Sequence, residues 1–348
     1  MSVRRIRTLL QKFAALAALA VVLASSAGCG WTRLNYPQTS LTPTSDYARD
    51  IDTILNQQVF WVVVIFVLVQ GMIIVTVLRF RARPGAPDPK PVHGNTALEI
   101  AWTIAPAIIL ALVAVPTVET IYRTQAPAAK GALQVNVIGH QWWWEFQYPE
   151  LGITTASELH VPAGRTVNVA ITTADVLHSF WFPAIGGKRD AIPTHTNYMW
   201  FKPDSLGVFM GQCAELCGTS HANMRMRLFV ETPEQFEAWV AHQKQPATDP
   251  DSVTNAAAWQ GRKVWGDQIC FTCHTVNGVE NAVGIVGPNL THVGSRTAIA
   301  GSIYPNDAEH LAKWISNAPA AKPGSLMPNL GLNDEQVKAL VAYLQSLK

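Results

Sequence analysis

Gly211-Gln212-Cys213-Ala214-Glu215-Leu216-Cys217-Gly218-Thr219-Ser220-His221-Ala222-Asn223-Met224 decides how the rest of this chain is read. Cys213, Glu215, Cys217, His221 and Met224 crowd together there, and His178 comes from an earlier turn beside Ser179-Phe180-Trp181. Thiolates and a thioether joined by two imidazoles are donors that copper selects. A single blue-copper ion uses one cysteine, two histidines and a weak methionine, so the second cysteine implies a second metal bridged by both sulfurs. Two copper ions in one fixed cage share an electron and rearrange little on oxidation. A disulfide between Cys213 and Cys217 is the plain alternative in an oxidising compartment, but it leaves His178, His221 and Met224 unexplained. A thioredoxin-like copper chaperone would lack Met224 and would want an alternating βαβ pattern.

The flanking sequence does not alternate in that way. From 133 to 231 it runs in short β-branched or alternating stretches, among them 133–139, 166–172 and 226–231, separated by proline and glycine turns. That pattern predicts an all-β antiparallel sandwich or Greek-key barrel over 130–242. Thr232 then caps a helix with Pro233 in its first turn and Gln235 placed to complete a capping box. Residues 243–254, with Pro246 and Pro250, read as a linker whose composition allows motion. Beyond it the spacing predicts helices over 255–265, 307–317 and 333–347. In the last of these Val337, Leu340, Val341 and Leu344 share one helical face. The region 255–348 is therefore a small all-α domain, near the lower size limit for folding alone and helped by a large buried cofactor.

That cofactor is written into Cys270-Phe271-Thr272-Cys273-His274. The spacing lets Cys270 and Cys273 bind the two vinyl groups of one haem covalently while His274 coordinates the iron. A redox pair, disulfide or zinc site is the competing reading. Met327, in Pro323-Gly324-Ser325-Leu326-Met327-Pro328, is the expected second axial ligand. The alternatives are that Met327 is core packing and that His292 or His310 completes the iron.

The amino-terminal part belongs to a membrane. Of the 348 residues 49% are hydrophobic and 14% charged, which argues against one soluble domain. The net charge of +2, with no long basic run, excludes a nucleic-acid footprint. Arg4, Arg5, Arg7 and Lys12 precede an apolar run over 13–23 and then Ser26-Ala27-Gly28-Cys29, so 1–29 reads as an export signal, with Cys29 placed as in a lipoprotein site. Ordinary cleavage and an uncleaved third membrane helix are the other readings. Apolar runs over 59–78 and 100–118 each have the ~20 residues a bilayer span needs, forming a two-helix transmembrane hairpin over 46–125. Arg79, Arg81, Arg83 and Lys90 against Asp88 place the loop between them in the cytoplasm and everything after Ile121 outside. Pro106 and Pro116 in the second span call for neighbouring membrane helices.

The segment 211–218, together with Val176-Leu177-His178-Ser179, Gly139-His140-Gln141-Trp142 and Asp190-Ala191-Ile192-Pro193, resembles subunit II of cytochrome c oxidase over about 46–242. The resemblance implies a cupredoxin fold and copper ligation by His178, Cys213, Cys217, His221, Met224 and the main-chain carbonyl of Glu215. It directs the Glu215 side chain to a magnesium at the catalytic subunit and brings electrons in at Trp142. Trp143 and Trp144 read as sandwich core. Glu99, within Glu99-Ile100-Ala101-Trp102-Thr103, resembles a family glutamate at the entrance of a proton pathway, although a carboxylate at a helix start needs no special role. The stretch 255–348, with Gly287-Pro288-Asn289-Leu290, resembles class I cytochromes c, and the fusion of the two resembles caa-type oxidases.

The function these resemblances imply is electron input from a cytochrome c or a cytochrome bc complex, through haem and copper, to the oxygen-reducing subunit I of a bacterial inner-membrane enzyme with subunit III beside it. The spans contain no histidine cluster for an oxygen site. A copper-bearing subunit of a nitric oxide reductase and a freestanding membrane cytochrome are the alternatives. His93, His160, His195 and His242 read as surface or structural groups.

Overall fold

The computed structural model describes residues 38–85, 91 and 93–348. The readings of an export signal, of Cys29, and of Asp88 and Lys90 fall outside those residues.

Ser45 accepts a hydrogen bond from Ala48 N and starts α1 (Asp46–Arg79), and Asn95 caps α2 (Thr96–Gln125). At 34 residues α1 is about 50 Å long, longer than the roughly 30 Å hydrocarbon layer, so its first turns project beyond a bilayer. Those turns are bonded to the β-domain: Thr44 N donates to Ala184 O at 2.9 Å, the Ser45 hydroxyl to Ile185 O, and Lys202 N to the Asp46 carboxylate at 2.8 Å. Pro106 and Pro116 lie inside α2 without ending it.

Ten strands follow: β1 (Leu133–His140), β2 (Trp143–Tyr148), β3 (Ile153–Ala156), β4 (Glu158–Pro162), β5 (Val167–Thr173), β6 (His178–Trp181), β7 (Arg189–Ala191), β8 (Asn197–Phe201), β9 (Gly207–Cys213) and β10 (Arg225–Glu231). They form two five-stranded sheets, ordered β3-β2-β1-β5-β8 and β4-β10-β9-β6-β7. Alternation along β1 and β2 puts Val135, Val137, Trp144 and Phe146 between the sheets, where they meet Phe180 and Leu228. The sandwich departs from the antiparallel expectation at two places, since β1 pairs with β5 and β4 with β10 in parallel. Each pair is joined by a long excursion into the opposite sheet, which is what a Greek-key crossover needs and a meander does not. Tyr148, fully buried, donates its hydroxyl to His160 O and accepts from His160 N.

Thr232 and Gln235 make the expected capping box on α3 (Pro233–Gln243). The segment after it is packed against the final domain, although its composition allowed motion. Ala247 is buried and its N–H donates to Asn277 O at 2.7 Å, Gln245 O accepts from His292 Nε2, and Asp249 pairs with Arg262.

The last domain is built on α4 (Ala256–Asp267), α5 (Ala308–Ser316), the single turn α6 (Ala318–Ala321) and α7 (Asp334–Ser346). Helices α4 and α7 cross at Gly261, where a Cβ would run into the carbonyl of Ala339 and lie 2.7 Å from Tyr343 Cβ. Val337, Leu340, Val341 and Leu344 form the buried face of α7, as their spacing predicts.

Candidate functional site

Strand pairing assembles the sulfur-rich loop. Residues between Cys213 and Met224 connect β9 to β10, and the connection closes through Cys213 N donating to Met224 O at 2.9 Å. Because β6 pairs with β9 at Phe180 and Cys213, His178 at the start of β6 is brought to the loop. The thiols of Cys213 and Cys217 are free, with their sulfurs 3.7 Å apart. With metal–thiolate bonds of about 2.3 Å, two sulfurs can share two ions when they are closer than about 4.6 Å. His178 Nδ1 lies 3.8 Å from Cys213 Sγ, and His221 Nδ1 lies 3.5 Å from Cys217 Sγ. Met224 Sδ is 3.9 Å from Cys217 Sγ, and the Glu215 carbonyl is 3.3 Å from Cys213 Sγ. The other four donors foreseen in the sequence thus gather around the two sulfurs, and the donor set of six suits copper. The Glu215 side chain is half-buried, while neighbouring Leu216 is exposed.

The loop's electrostatics prepare it for a cation. Sharing a proton with Cys217 pulls the Cys213 thiol well below the usual thiol range, against desolvation and with help from His178, and the same sharing pushes Cys217 up. His178 is buried, which disfavours its charge, but its Nε2–H donates to Asp175 Oδ1 at 2.8 Å, and the net effect raises it. That bond turns Nδ1 toward the sulfurs. Burial opposes ionisation of Asp175 too, yet donation from His178, Gln141 N and Val176 N holds its carboxyl below the ordinary value of 3.8. Sequence reasoning missed Asp175, although its place three residues before His178 was a readable signal. Gly139 was also quoted without a role: a Cβ there would come within 2.7 Å of His178 Cδ2.

Trp142 sits beside the loop, 7% exposed, with its indole N–H donating to Cys217 O at 3.0 Å. Gln141 Nε2 donates to the same carbonyl at 2.8 Å. Trp144 is core, as expected. Trp143 departs from that reading: it is half-exposed and stacks on His140 at 4.3 Å between ring centroids, because it alternates with Trp142 and Trp144 along the strand.

In the helical domain Cys270 and Cys273 are free and half-buried, the first opening and the second capping a single 3-10 turn that leads into His274. Burial lowers the His274 pKa against the pull of the Pro288 carbonyl, to which its Nδ1–H donates at 2.8 Å. A neutral ring oriented through Nδ1 leaves Nε2 for a metal. Gly287 lies against the face of that ring, where a Cβ would collide. Exposed Ile269, Val283, Ile285 and Val286 form an apolar fringe on the same segments, and buried Trp265 Nε1 near His274 has no hydrogen-bond partner. An apolar fringe and an orphaned polar atom around the cysteines fit a large, mainly apolar group with polar substituents. Met327 is half-buried and outside the domain's hydrophobic cluster, so core packing does not account for it. His292 is engaged with Gln245 O and His310 with Asp307. Glu99 stands in the first turn of α2, exposed.

Comparison with known families places three models on the chain: "Cytochrome C oxidase subunit II, transmembrane domain" over 31–120, its "periplasmic domain" over 151–231, and "Cytochrome c" over 258–348. A relative from Alkalihalophilus pseudofirmus, called cytochrome c oxidase subunit 2, is 38% identical over 317 residues, covering 89% of this chain and 91% of the relative. One of the same name from a Bacillus species is 40% identical over 288 residues, covering 77% and 80%. The periplasmic domain of subunit II of cytochrome oxidase from Bradyrhizobium japonicum matches 34% of this chain and 96% of its own at 36% identity, with a TM-score of 0.33.

Proposed function

Because the chain belongs to the cytochrome c oxidase subunit II family, extended by a cytochrome c domain, we propose that His178, Cys213, Cys217, His221, Met224 and the Glu215 carbonyl hold two copper ions as a single electron-accepting centre. The chain is the electron-input subunit of a haem-copper oxidase, associated with the catalytic subunit in a membrane complex. Its relatives are oxidase subunits, which does not favour the nitric oxide reductase or freestanding relay.

When bound, copper at the cysteine loop and haem at the helical domain would supply one-electron redox chemistry. The protein's part is to fix the donors. Cys213 and Cys217 would hold the copper ions between them, Asp175 and Gly139 orient His178, and the Trp142 and Gln141 N–H groups pin the carbonyl of Cys217. A haem would be attached through Cys270 and Cys273 and held by His274, which the Pro288 carbonyl aims, together with Met327. The half-buried Glu215 carboxylate is offered to a magnesium shared with the catalytic subunit, and Glu99 stands at the mouth of a proton path. The copper and haem domains face the outer side of a bacterial inner membrane, where a cytochrome c or bc complex donates and subunit III completes the assembly.

The observation that carries this reading is the convergence of four further donor atoms on two sulfurs 3.7 Å apart. Paramagnetic resonance and metal analysis on the full-length, haem-loaded chain test it. Two coppers per haem, with hyperfine structure from one electron on two equivalent nuclei, are expected. A single-copper signal, or a Cys213–Cys217 disulfide without copper, would contradict it.

A further inference from the structure

The helical domain does not hang free of the sandwich but is bonded to it at both ends of one face. At one end Lys322, 3% exposed, donates from Nζ to Trp142 O at 2.5 Å and Ala300 O at 2.8 Å. Beside it the Ser220 hydroxyl, in the copper loop, donates to Pro323 O at 2.6 Å, and Arg225 N donates to Gly301 O at 3.0 Å. At the other end Glu158, also 3% exposed, accepts from Thr297 N at 2.9 Å and Ala298 N at 3.1 Å. The Lys322 amine thus meets acceptors and the Glu158 carboxylate meets donors. Buried charges satisfied in this way fix register more than they add net stability.

What the register fixes is the contact between Trp142 and the loop that leads to Met327. Gly324, at φ +84°, lies so close over the indole that a Cβ there would be 2.5 Å from Cη2. The indole N–H ends on Cys217 O. A continuous contact therefore runs from the Met327 loop through one aromatic ring to a bridging cysteine, and the same contact leaves Trp142 too covered to receive an external carrier.

We propose that Lys322 is the positioning residue of this interface, holding the Met327 loop on Trp142 and so setting the rate at which the haem domain passes electrons to the copper loop. The proposal rests on the relay reading above. Replacing Lys322 with methionine leaves two buried carbonyls without a donor, which lowers the ratio of docked to undocked molecules by about tenfold or more.

Two readouts on the full-length, cofactor-loaded chain test it. Hydrogen–deuterium exchange reports docking, because the Arg225, Thr297 and Ala298 amides donate across the interface. Photoinduced reduction of the haem, followed optically, reports transfer to copper. In Lys322→Met those three amides should exchange about tenfold faster or more while Val169 and Leu340 keep their protection, and transfer should slow with the haem potential and copper signal unchanged. Unchanged exchange at the three amides, or looser docking with unaltered transfer, would overturn the proposal. Should that variant fail to fold, Glu158→Gln should move the Thr297 and Ala298 amides and the transfer rate in the same directions, and no movement would equally overturn it. A parent chain with a protected interface but no transfer from haem to copper would remove the relay reading itself, and the dock's role with it.

Discussion

Asp175→Asn tests how the copper loop is prepared for its metal. The Asp175 carboxylate serves opposed clients: Oδ1 accepts from His178 Nε2 at 2.8 Å and Val176 N at 2.6 Å, while Oδ2 accepts from Gln141 N at 2.7 Å. An asparagine has one carbonyl oxygen. If it faces His178, its amide group opposes the Gln141 N–H, and if it turns, it opposes the His178 N–H. Either way a charge-assisted bond worth about 1.5–3 kcal/mol is lost. Removing the partner of a metal-bound histidine typically weakens metal binding by about 10–100-fold, or about 1.4–2.8 kcal/mol, which agrees. Competition titration against a copper chelator should show that loss with the haem domain unaffected. Because the carboxyl is held below 3.8, its contribution is fully present above about pH 4 and fades as acid titrates through the lowered value. The two proteins should therefore differ most at neutral pH and converge in acid. Equal copper affinity at pH 7 would refute the orienting role of Asp175.

Other substitutions test separate parts of the account. Met327→Leu should keep the haem attached and lower its reduction potential, since a thioether ligand raises it; an unchanged potential in a redox titration would remove Met327 from the iron. Gly261→Ala should lower the denaturant midpoint of the helical domain. Because the added Cβ would meet the Ala339 backbone, overpacking near the upper end of about 1–3 kcal/mol exceeds the roughly 1 kcal/mol that alanine adds to a helix, and an unchanged or raised midpoint would contradict the close crossing. Tyr148→Phe strips both backbone partners from His160 in the sandwich and should cost about 1–3 kcal/mol in urea unfolding. A variant as stable as its parent would mean that those groups find other partners.

The parts of this molecule that could be read from sequence are those fixed by local chemistry. Thr232 and Gln235 formed their capping box because both partners lie within one turn, and the α7 face followed directly from its period. That Cys213, Cys217, His221 and Met224 would cluster was legible because one short β-connection carries them, with His178 the single distant member. The parallel pairing of β1 with β5 and of β4 with β10 was not legible, because alternation names the inward face of a strand but not its neighbour. Nor was the dock. Lys322 and Glu158 look like ordinary surface charges until residues far apart in the chain bury them, and the proline-bearing segment 243–254 gave no sign that Ala247 and Gln245 would be tied to the helical domain. Trp142 carried half the information: its neighbourhood marked the site, but its closure by Gly324 belongs to the tertiary structure.

The central claim is that electrons reach the oxygen-reducing subunit through this chain's cysteine-rich loop. The most direct measurement mixes oxygen with the assembled, fully reduced oxidase and follows the haem held by Cys270 and Cys273, comparing the parent enzyme with Cys217→Ser. Rapid reoxidation of that haem is expected in the parent, and a haem that stays reduced in the variant although its spectrum is normal. Equal reoxidation in both would show that electrons pass to oxygen by another route and would contradict the assignment of the copper loop.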